Sequence, residues 1–397
     1  MATQYNSAAV IAGRALHPPW NEGTRVIARN LVRGTSTVRR VQVVSLTQAD
    51  FRNASTEEPA VRHVYSGVGY GMRGDYLGMR GILRQVDQVR RTMPVGVVHL
   101  LNLPLALAPW LRRRGIRVIA HITLAQQAYL SPAERWRAVL GWRLFDPWVA
   151  SYALSSPALT APLRARGLPA AKLRVIPASI DTDLYQPAAP ATIRPQLGVH
   201  PTERLVVYIG TLSPLRFPAP LIREALAQTA VGNAAPIRFL AFAPHATHSY
   251  NQTWSAAVDQ QLKDIAGVST QVVLGDLTDS EKAAWFQAAD AVLVPFTAPV
   301  AVEPPLTLLE AMACGTAVVV TPHGNQSELV ENGQNGMLYE TPAELSAHLR
   351  DVFSSGPAAM AGLRAAARAT IVQRHSLAAA TAAATQVWAA VESPERR

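Results

Sequence analysis

The stretch AVEPPLTLLEAMACGTAVVV, from Ala301 to Val320, decides how this chain folds. Proline is favoured in the first turn of a helix, and Gly315 can adopt the left-handed conformation that ends one. The stretch therefore predicts a helix from Pro304 to Ala313. The apolar run TAVVVT behind it, at 316–321, predicts a buried strand. A helix that leads into a buried strand is typical of a parallel sheet covered by helices.

Apolar runs of strand length alternate with helix-length segments along the whole chain. Two such series predict two doubly wound parallel-sheet α/β domains. The strand candidates are 8–13, 41–46, 61–66, 95–100, 117–122 and 173–178 in the first series, and 204–210, 237–242, 270–275, 291–296 and 316–321 in the second. The helix candidates between them include 24–31, 220–229, 280–289 and 304–313.

A polar segment with four prolines, SIDTDLYQPAAPATIRPQLGVHPTE, separates the two series. We place a linker near 182–200, because proline-rich polar segments without an apolar period are typical of linkers. This predicts an N-terminal domain at 1–182 and a C-terminal domain at 200–375. The alanine-rich tail at 376–397 predicts a helix, which we expect to pack back toward the N-terminal domain.

The composition is that of a globular protein without covalent cross-links. Apolar residues make up 49% of the 397 residues and charged residues 16%, which excludes a largely disordered chain. The single cysteine, Cys314, excludes a disulfide framework, and we expect it to be a small buried filler. No signal peptide is recognisable, and the longest apolar run, at 103–111, is too short to cross a bilayer. We therefore expect a cytoplasmic protein.

Basic residues are concentrated in the first half of the chain. The first 200 residues hold 25 Lys and Arg against 10 Asp and Glu, and the remainder holds 12 against 17. The segment 131–154, read as one interrupted helix, carries Trp136, Trp142 and Trp148 among arginines, and 111–117 adds a second basic cluster. Tryptophan beside arginine favours an anionic membrane surface, which we expect this segment to bind as a peripheral contact. The alternative is that the arginines are solvated and the tryptophans anchor the helix on its own domain.

The motif GYGMRG, from Gly69 to Gly74, satisfies the glycine pattern of dinucleotide-binding folds. It follows the third strand candidate rather than the first, and no acidic residue lies about 20 residues beyond it to bind a ribose. We therefore interpret it as a glycine-rich mobile loop.

Two acids frame the helix of the opening stretch, Glu303 before it and Glu310 inside it. Free amides near 306–308 would face outward from the carboxyl end of a strand, where a helix dipole favours phosphate. A carboxylate can accept from both adjacent hydroxyls of a ribose. One interpretation is that Glu303 meets a sugar and Glu310 a ribose, with phosphates between them. The other is that Glu303 complements the helix dipole and Glu310 pairs with an arginine.

Three segments, taken in order, resemble the retaining glycosyltransferases of family 4. They are LSSPALTAPLRARGLPAAKLRVIPASIDTDLYQP at 154–187, LVVYIGTLSPLRFP at 205–218 and VEPPLTLLEAMACGTAVVVTPHGNQSELVENGQNGMLY at 302–339. The resemblance covers nearly the whole chain. It implies the GT-B architecture, in which two Rossmann-like domains face each other across a cleft. The N-terminal domain would bind the acceptor and the C-terminal domain the nucleotide-sugar.

The resemblance also implies the activity. A hexose would pass, with retention, from a nucleotide-diphosphate sugar to a hydroxyl acceptor, such as a lipid-linked or cell-envelope glycan. The donor would be a substrate, so no cofactor is expected. No metal is expected either, because enzymes of this fold typically use none, and no nucleic acid is an expected partner.

Individual positions match residues that the family uses. Glu310 matches a glutamate that binds the nucleotide ribose, Arg216 a basic residue that neutralises the diphosphate, and His121 a histidine that contacts the donor sugar. Gly23 lies in the loop where the backbone approaches phosphate and acceptor. The remaining candidates are Glu303 for catalysis and Thr211, Pro305, Leu306 and Thr307 for donor binding.

The chain departs from the family at three places. Glu303 is one residue too close to Glu310 for the family's spacing, and Val302 occupies the aligned position. Thr211 stands where many members carry arginine, and the N-terminal loop reads NEG rather than a double glycine. Two other functions therefore stay open: a catalytically weak nucleotide-sugar-binding partner or regulatory subunit, and a nucleotide-sugar epimerase of similar fold.

Overall fold

The computed structural model divides into two compact units. The first comprises Met1–Ser179 together with Leu377–Arg397, and the second comprises Ile180–Ser376. The structure describes residues 7–16, 22–48, 61–65, 72–123, 140–233, 235–244, 249–298, 304–355 and 357–393. The last helix of the chain therefore belongs to the unit that the first strand begins.

Eleven of the thirteen strands that the structure describes coincide with predicted apolar runs, and the other two, at Ser151–Leu154 and Met337–Leu338, were not predicted. In the first unit the strands are β1 (Ala8–Arg14), β2 (Val41–Thr47), β3 (Val61–Tyr65), β4 (Val95–Leu101), β5 (Arg117–Ile122), β6 (Ser151–Leu154) and β7 (Leu173–Val175). In the second unit they are β8 (Arg204–Ile209), β9 (Ile237–Ala243), β10 (Val268–Leu274), β11 (Ala291–Val294), β12 (Ala317–Val320) and β13 (Met337–Leu338).

Each unit is built on one parallel sheet, and the two sheets share a strand order. It runs β3-β2-β1-β4-β5-β6-β7 in the first and β10-β9-β8-β11-β12-β13 in the second. Residues Ala8 to Ala12 of β1 are each at most 2% exposed, as expected of strands covered on both faces. The order reverses between β1 and β4 and again between β8 and β11, which is the topological switch point of a doubly wound fold. The predicted pair of α/β domains is confirmed.

The helices whose two ends are described lie between these strands or, for the last three, after β13. They are α1 (Gly23–Thr35), α2 (Met72–Thr92), α3 (Ala108–Arg112), α4 (Thr160–Ala165), α5 (Pro190–Ile193), α6 (Ala219–Ala230), α7 (Ser249–Leu262), α8 (Asp279–Ala288), α9 (Leu306–Ala313), α10 (Gln326–Leu329), α11 (Pro342–Ser354), α12 (Pro357–His375) and α13 (Leu377–Glu392). Capping boxes begin α8, between Thr278 and Glu281, and α11, between Thr341 and Glu344.

The helix of the opening stretch begins two residues later than predicted. Pro305 is its N-cap, with φ −58° and ψ 124°, and α9 starts at Leu306. The reason is steric, because a residue that precedes a proline is pushed out of the helical region. Gly315 has φ +67° and supplies the predicted left-handed end.

Two other predictions about local structure were wrong. The segment 131–154 is not one interrupted helix, because Ser151–Leu154 forms β6; a short, fully buried run has no periodicity that separates strand from helix. Residues Met72–Gly74 of the GYGMRG motif are not a mobile loop but the start of α2. Residues 69–71 of the motif lie outside the described residues. Gly78, further along this helix, serves packing, because a Cβ there would lie 2.6 Å from the Leu46 side chain.

The C-terminal helix α13 is held in the first unit by a buried ion pair. Arg39, 2% exposed, donates to the two carboxylate oxygens of Glu392 over 2.6 and 2.8 Å. It also donates to the backbone carbonyl of Ser7 over 2.8 Å, which ties the start of β1 to the same cluster. Gly34 of α1 lets α13 approach closely, since a Cβ there would collide with the Thr381 hydroxyl.

Replacing Gly34 with alanine is expected to destabilise the protein by about 1–3 kcal/mol, because the added methyl group overpacks the contact between α1 and α13. Thr381→Ala should restore part of the loss by removing the hydroxyl that the methyl group meets. Gly362→Ala is the matched control: nothing lies within 4 Å of its added Cβ, so it should be neutral or stabilising. Thermal unfolding of the three single variants and the Gly34→Ala/Thr381→Ala double variant measures this, and equal midpoints for Gly34→Ala and Gly362→Ala would contradict it.

Candidate functional site

The second unit presents its candidate residues at the carboxyl ends of β8 and β11. This edge is where doubly wound sheets bind ligands, because the loops of the two strands diverge to opposite faces and leave a crevice. The start of α9 is fastened to it, since the Thr307 hydroxyl donates to the carbonyl of Ile209 over 3.1 Å. The structure therefore brings the β8 loop and the first turn of α9 together.

The loop after β8 is folded by its own hydrogen bonds. The Tyr208 hydroxyl donates to the carbonyl of Thr211 over 2.7 Å, and the Tyr208 ring lies 4.7 Å from that of Phe217. The amide of Thr297, which follows β11, donates to the carbonyl of Leu215 over 2.9 Å. Both ends of the loop are thus fixed before any ligand binds.

Arg216 and Thr211, which the sequence analysis named as separate candidates, contact each other inside this loop. The Arg216 Nη1 lies 3.3 Å from the Thr211 Oγ1, and its guanidinium carbon lies 6.0 Å from the centroid of the Phe296 ring. Thr211, at the position where many family members carry arginine, therefore accepts a hydrogen bond from Arg216. Ser213, which the sequence analysis passed over, has a buried hydroxyl with no hydrogen-bond partner among the described residues.

The first turn of α9 offers fewer amides than predicted. Pro305 has no N–H, so it cannot contribute to an anion site as a donor. The amide of Leu308 already donates to the carbonyl of Pro305 over 3.0 Å. Leu306 and Thr307 remain as the residues whose amides have no acceptor within the helix. The phosphate site predicted at 306–308 thus retains two backbone amides as donors. Glu303 and Val302 lie outside the described residues.

Glu310 is an ion-pair partner in this structure, with lysine in place of the arginine considered above. Lys282 of α8 lies with its Nζ 3.1 Å from Oε1 of Glu310 and 2.9 Å from Oδ1 of Asp279. The Glu310 side chain is only 4% exposed and that of Lys282 14%. Burial by itself would lower the pKa of Lys282, but the Glu310 and Asp279 carboxylates outweigh it and raise that pKa.

In the first unit, His121 lies at the carboxyl end of β5 and is 4% exposed. Its Nδ1 is 2.9 Å from Nε2 of His99 on β4, and the Trp388 indole nitrogen of α13 is 3.3 Å from the other nitrogen of His99. Burial lowers the pKa of His121 to about 4 and that of His99 well below its ordinary value. Both rings are therefore neutral at pH 7.

Gly23 is the first residue of α1, where its neighbour Glu22 forms the N-cap. The Glu22 carboxylate accepts from the amides of Thr24 and Arg25 over 3.1 and 3.2 Å. An acid thus fills the position that the family gives to glycine. Backbone amides at this helix start are already engaged, and a phosphate placed there would meet a carboxylate.

The sequence analysis missed three further residues, for different reasons. Lys282 carries no motif signal, since its role depends on α8 lying beside α9. His99 stands in the middle of an apolar run, where a histidine is a recognisable exception. Trp388 is 267 residues from His121 in the chain, and no local pattern connects them.

Comparison with known sequences agrees with this geometry. Residues 204–355, all in the second unit, match the family model described as Glycosyl transferases group 1. The second unit is thus similar to the group 1 glycosyl transferases over these residues. The D-inositol 3-phosphate glycosyltransferase of Pseudarthrobacter chlorophenolicus is 25% identical over 320 residues, which cover 73% of this chain and 72% of that protein. The protein of the same name from Geodermatophilus obscurus is 30% identical over 228 residues, covering 54% and 48%.

Among solved structures, Anabaena HepE in complex with UDP-glucose has a TM-score of 0.75 and 19% identity, and the match covers 98% of this chain and 100% of that one. At such identity the likeness shows the fold. The predicted GT-B fold is confirmed, and the match to the group 1 family model supports the predicted glycosyltransferase activity. Within the described residues, no helix has the length and hydropathy that a bilayer-spanning segment needs.

Acid is expected to destabilise this glycosyltransferase through its buried histidine pair. A histidine whose folded pKa is about 4 stabilises the fold fully above its unfolded pKa of about 6.5, and this contribution is lost as pH falls toward 4. For His121 the loss between pH 7 and pH 5 is about 2 kcal/mol. Urea unfolding at the two pH values, in wild type and His121→Asn, measures it. The variant should lose less stability on acidification, and an equal loss in both proteins would contradict the assignment.

Proposed function

We propose that the protein transfers a hexose from a nucleoside diphosphate sugar to a hydroxyl group of an acceptor, with retention of configuration and without a metal ion. The observation that carries this proposal is that Arg216 lies in the β8 loop, and that the first turn of α9 is hydrogen-bonded to the end of β8, at the switch point of the second unit. Anabaena HepE was solved with UDP-glucose, so a uridine diphosphate sugar is the first donor to test.

The proposed transfer reaction requires positively charged groups or hydrogen-bond donors at the place where the diphosphate leaves the sugar. As the bond between the sugar carbon and the diphosphate oxygen breaks, negative charge develops on that oxygen. Arg216 and the amides of Leu306 and Thr307 are the donors proposed to stabilise it, and such preorganised donors usually supply the largest catalytic term. The acceptor hydroxyl then forms the new bond on the same face, and its proton goes to the departing phosphate oxygen. No protein base is required for this step.

We assign the ribose of the donor to Glu310. Its ion pair with Lys282 holds the carboxylate in one orientation. A fixed carboxylate suits the two adjacent hydroxyls of a ribose. His121 is assigned to a sugar hydroxyl, and the backbone at Gly23 to the acceptor. Glu303 keeps its proposed catalytic role from the family resemblance alone.

We further propose that the first unit binds an anionic membrane surface, which suits a lipid-linked acceptor. Trp110 on α3 is 48% exposed and Trp148, in the turn that packs on α3, is 38% exposed. Leu144 is 58% exposed nearby in sequence, whereas Trp142 packs against the core of its unit. Exposed tryptophan and leucine beside Arg113 suit the boundary between lipid and water. Trp136 lies outside the described residues.

Vesicle co-sedimentation tests the membrane proposal. The protein should sediment with anionic vesicles at low salt and be released at high salt, because the attraction is largely electrostatic. Replacing Trp110 and Trp148 together with serine should weaken sedimentation, while Trp254→Ser in the second unit serves as the matched control. Failure to sediment with anionic vesicles at low salt would favour a soluble acceptor.

Two competing functions follow from Thr211 replacing the family's arginine. A regulatory subunit would bind the nucleotide-sugar without turnover, and an epimerase would change the sugar without releasing the nucleotide. UDP release from UDP-glucose, measured with and without crude lipid and polysaccharide acceptors, separates them. Release that depends on acceptor, with a glycosylated product by mass spectrometry, supports the transferase.

Arg216→Ala is expected to weaken UDP binding about 10- to 150-fold, because charged hydrogen bonds to the diphosphate are lost. Arg238→Ala is the matched control, since Arg238 donates to the carbonyl of Gly198 at the opposite, amino end of β9. Calorimetric titration of both variants with UDP provides the comparison. Similar dissociation constants for the two would mean that the diphosphate does not bind at the β8 loop.

Glu310→Gln should weaken binding of UDP about 10- to 150-fold while leaving inorganic pyrophosphate binding unchanged, because pyrophosphate has no ribose. Lys282→Met separates this role from the ion pair. If Glu310 serves only stability, both variants lower the unfolding midpoint and neither alters the preference for UDP over pyrophosphate. That outcome would remove Glu310 from the donor site.

A further inference from the structure

The first unit buries a chain of three nitrogen-bearing rings, contributed by β4, β5 and α13. The Trp388 Nε1 lies 3.3 Å from Nδ1 of His99, and the His99 Nε2 lies 2.9 Å from Nδ1 of His121. Trp388 and His99 are each 0% exposed and His121 is 4% exposed. Contact with solvent therefore does not determine which of these ring nitrogens carry protons. The hydrogen bonds among the three rings determine it.

The proton positions follow from Trp388. An indole nitrogen can only donate, so Nδ1 of His99 must be an acceptor and carry no proton. Neutral His99 then carries its proton on Nε2 and donates it to Nδ1 of His121. The acceptor nitrogen of His121 is likewise unprotonated, which leaves the proton of His121 on Nε2. If His121 instead donated from Nδ1 to Nε2 of His99, both nitrogens of His99 would be acceptors. His99 would then carry no proton and would be a buried anion.

Both histidines are neutral because burial disfavours their charged forms. Burial lowers the pKa of His99 and of His121, and for His99 the neighbouring His121 adds to the effect. A second proton on His99 would also point at the indole N–H. The packing of the three rings therefore sets both the neutral state of the two histidines and the direction of the hydrogen bond between them.

The end of the chain is an N–H group that faces no acceptor within the described part of the protein. The His121 Nε2 is buried and has no hydrogen-bond partner among those residues. A buried donor that has no acceptor destabilises the protein, because it loses its hydrogen bond to water without gaining another. The atom lies at the carboxyl end of β5, the edge at which doubly wound sheets bind ligands. A ligand oxygen at this edge would remove this destabilisation.

We propose that Trp388 and His99 are positioning residues that hold His121 as a hydrogen-bond donor to a sugar hydroxyl oxygen. The choice of a sugar rests on the proposed function, whereas the proton assignment does not. A neutral N–H suits an uncharged oxygen better than a phosphate, which favours cations and several donors. In this arrangement His121 cannot act as a base through Nε2, because that nitrogen already carries the proton.

The C-terminal helix controls this donor from a distance. The Arg39 guanidinium lies 5.5 Å from the centre of the Trp388 ring and is bonded to Glu392, four residues further along α13. Helix α13 thus enters the first unit with the indole already oriented. The tail of the chain is therefore part of the binding machinery and does more than cover the sheet.

NMR of the imidazole nitrogens tests the proton assignment without any ligand. In the wild-type protein, Nε2 of both His99 and His121 should be protonated and both Nδ1 atoms unprotonated, and the opposite pattern at His121 overturns the proposal. Trp388→Phe keeps an aromatic ring but removes the N–H, so each histidine should become a mixture of the two tautomers. Trp110→Phe, the same substitution at an exposed position of the first unit, should leave one tautomer. If Trp388→Phe does not fold, the wild-type spectrum alone decides.

Binding measurements test the ligand. His121→Asn keeps an acceptor for His99 but removes the Nε2 donor, so UDP-glucose affinity should fall about 2- to 13-fold. Trp388→Phe should lower it about twofold, if half of the molecules carry the wrong tautomer. Affinity for UDP, which lacks the sugar, should be unchanged in both. Equal losses for UDP and UDP-glucose would overturn the sugar contact, and failure of wild type to bind either would overturn the proposed donor while leaving the proton assignment to be decided by NMR.

Discussion

Both units depend on one constraint, the reversal of strand order beside the first strand of each parallel sheet. Parallel strands need crossover helices, and winding them in two directions from β1 and from β8 places helices on both faces. The loops at the reversal then diverge, so polar groups can stand at the carboxyl edge without being buried. Arg216 and the start of α9 occupy that place in the second unit, and the edge that bears His121 belongs to the same sheet as the reversal in the first.

The two units differ in what satisfies the backbone N–H groups of the helix that begins at this edge. In the second unit the prolines before α9 remove donors, the side chain of Thr307 fastens the helix to β8, and the amides of Leu306 and Thr307 have no acceptor within the helix. In the first unit Glu22 closes the start of α1 with its own carboxylate. An open, cationic site suits a diphosphate, whereas a capped, partly acidic one suits hydroxyl groups, and this matches the division into donor and acceptor units proposed above.

Buried polar side chains determine which parts of the chain pack together in the first unit. Arg39 with Glu392 and Trp388 with the histidine pair each require all their members, because a buried charge or donor left alone is costly. The groups come from the start, the middle and the end of the chain. They make the C-terminal helix inseparable from the unit in which the chain begins.

The sequence alone determined eleven of the thirteen described strands, most helices, the doubly wound class and the family resemblance, since these rest on local apolar runs, on Gly315 as a helix end and on motif order. It named Arg216 and Thr211 separately as donor-site candidates, without predicting that they touch. It misread 131–154, where β6 is too short to show a period, and it took the start of α2 for a mobile loop. Only the tertiary structure decided that Glu310 pairs with Lys282 and that Trp388 directs His121. Those contacts join helices and strands that are distant in the chain, and no local pattern encodes which side chains such packing will bring together.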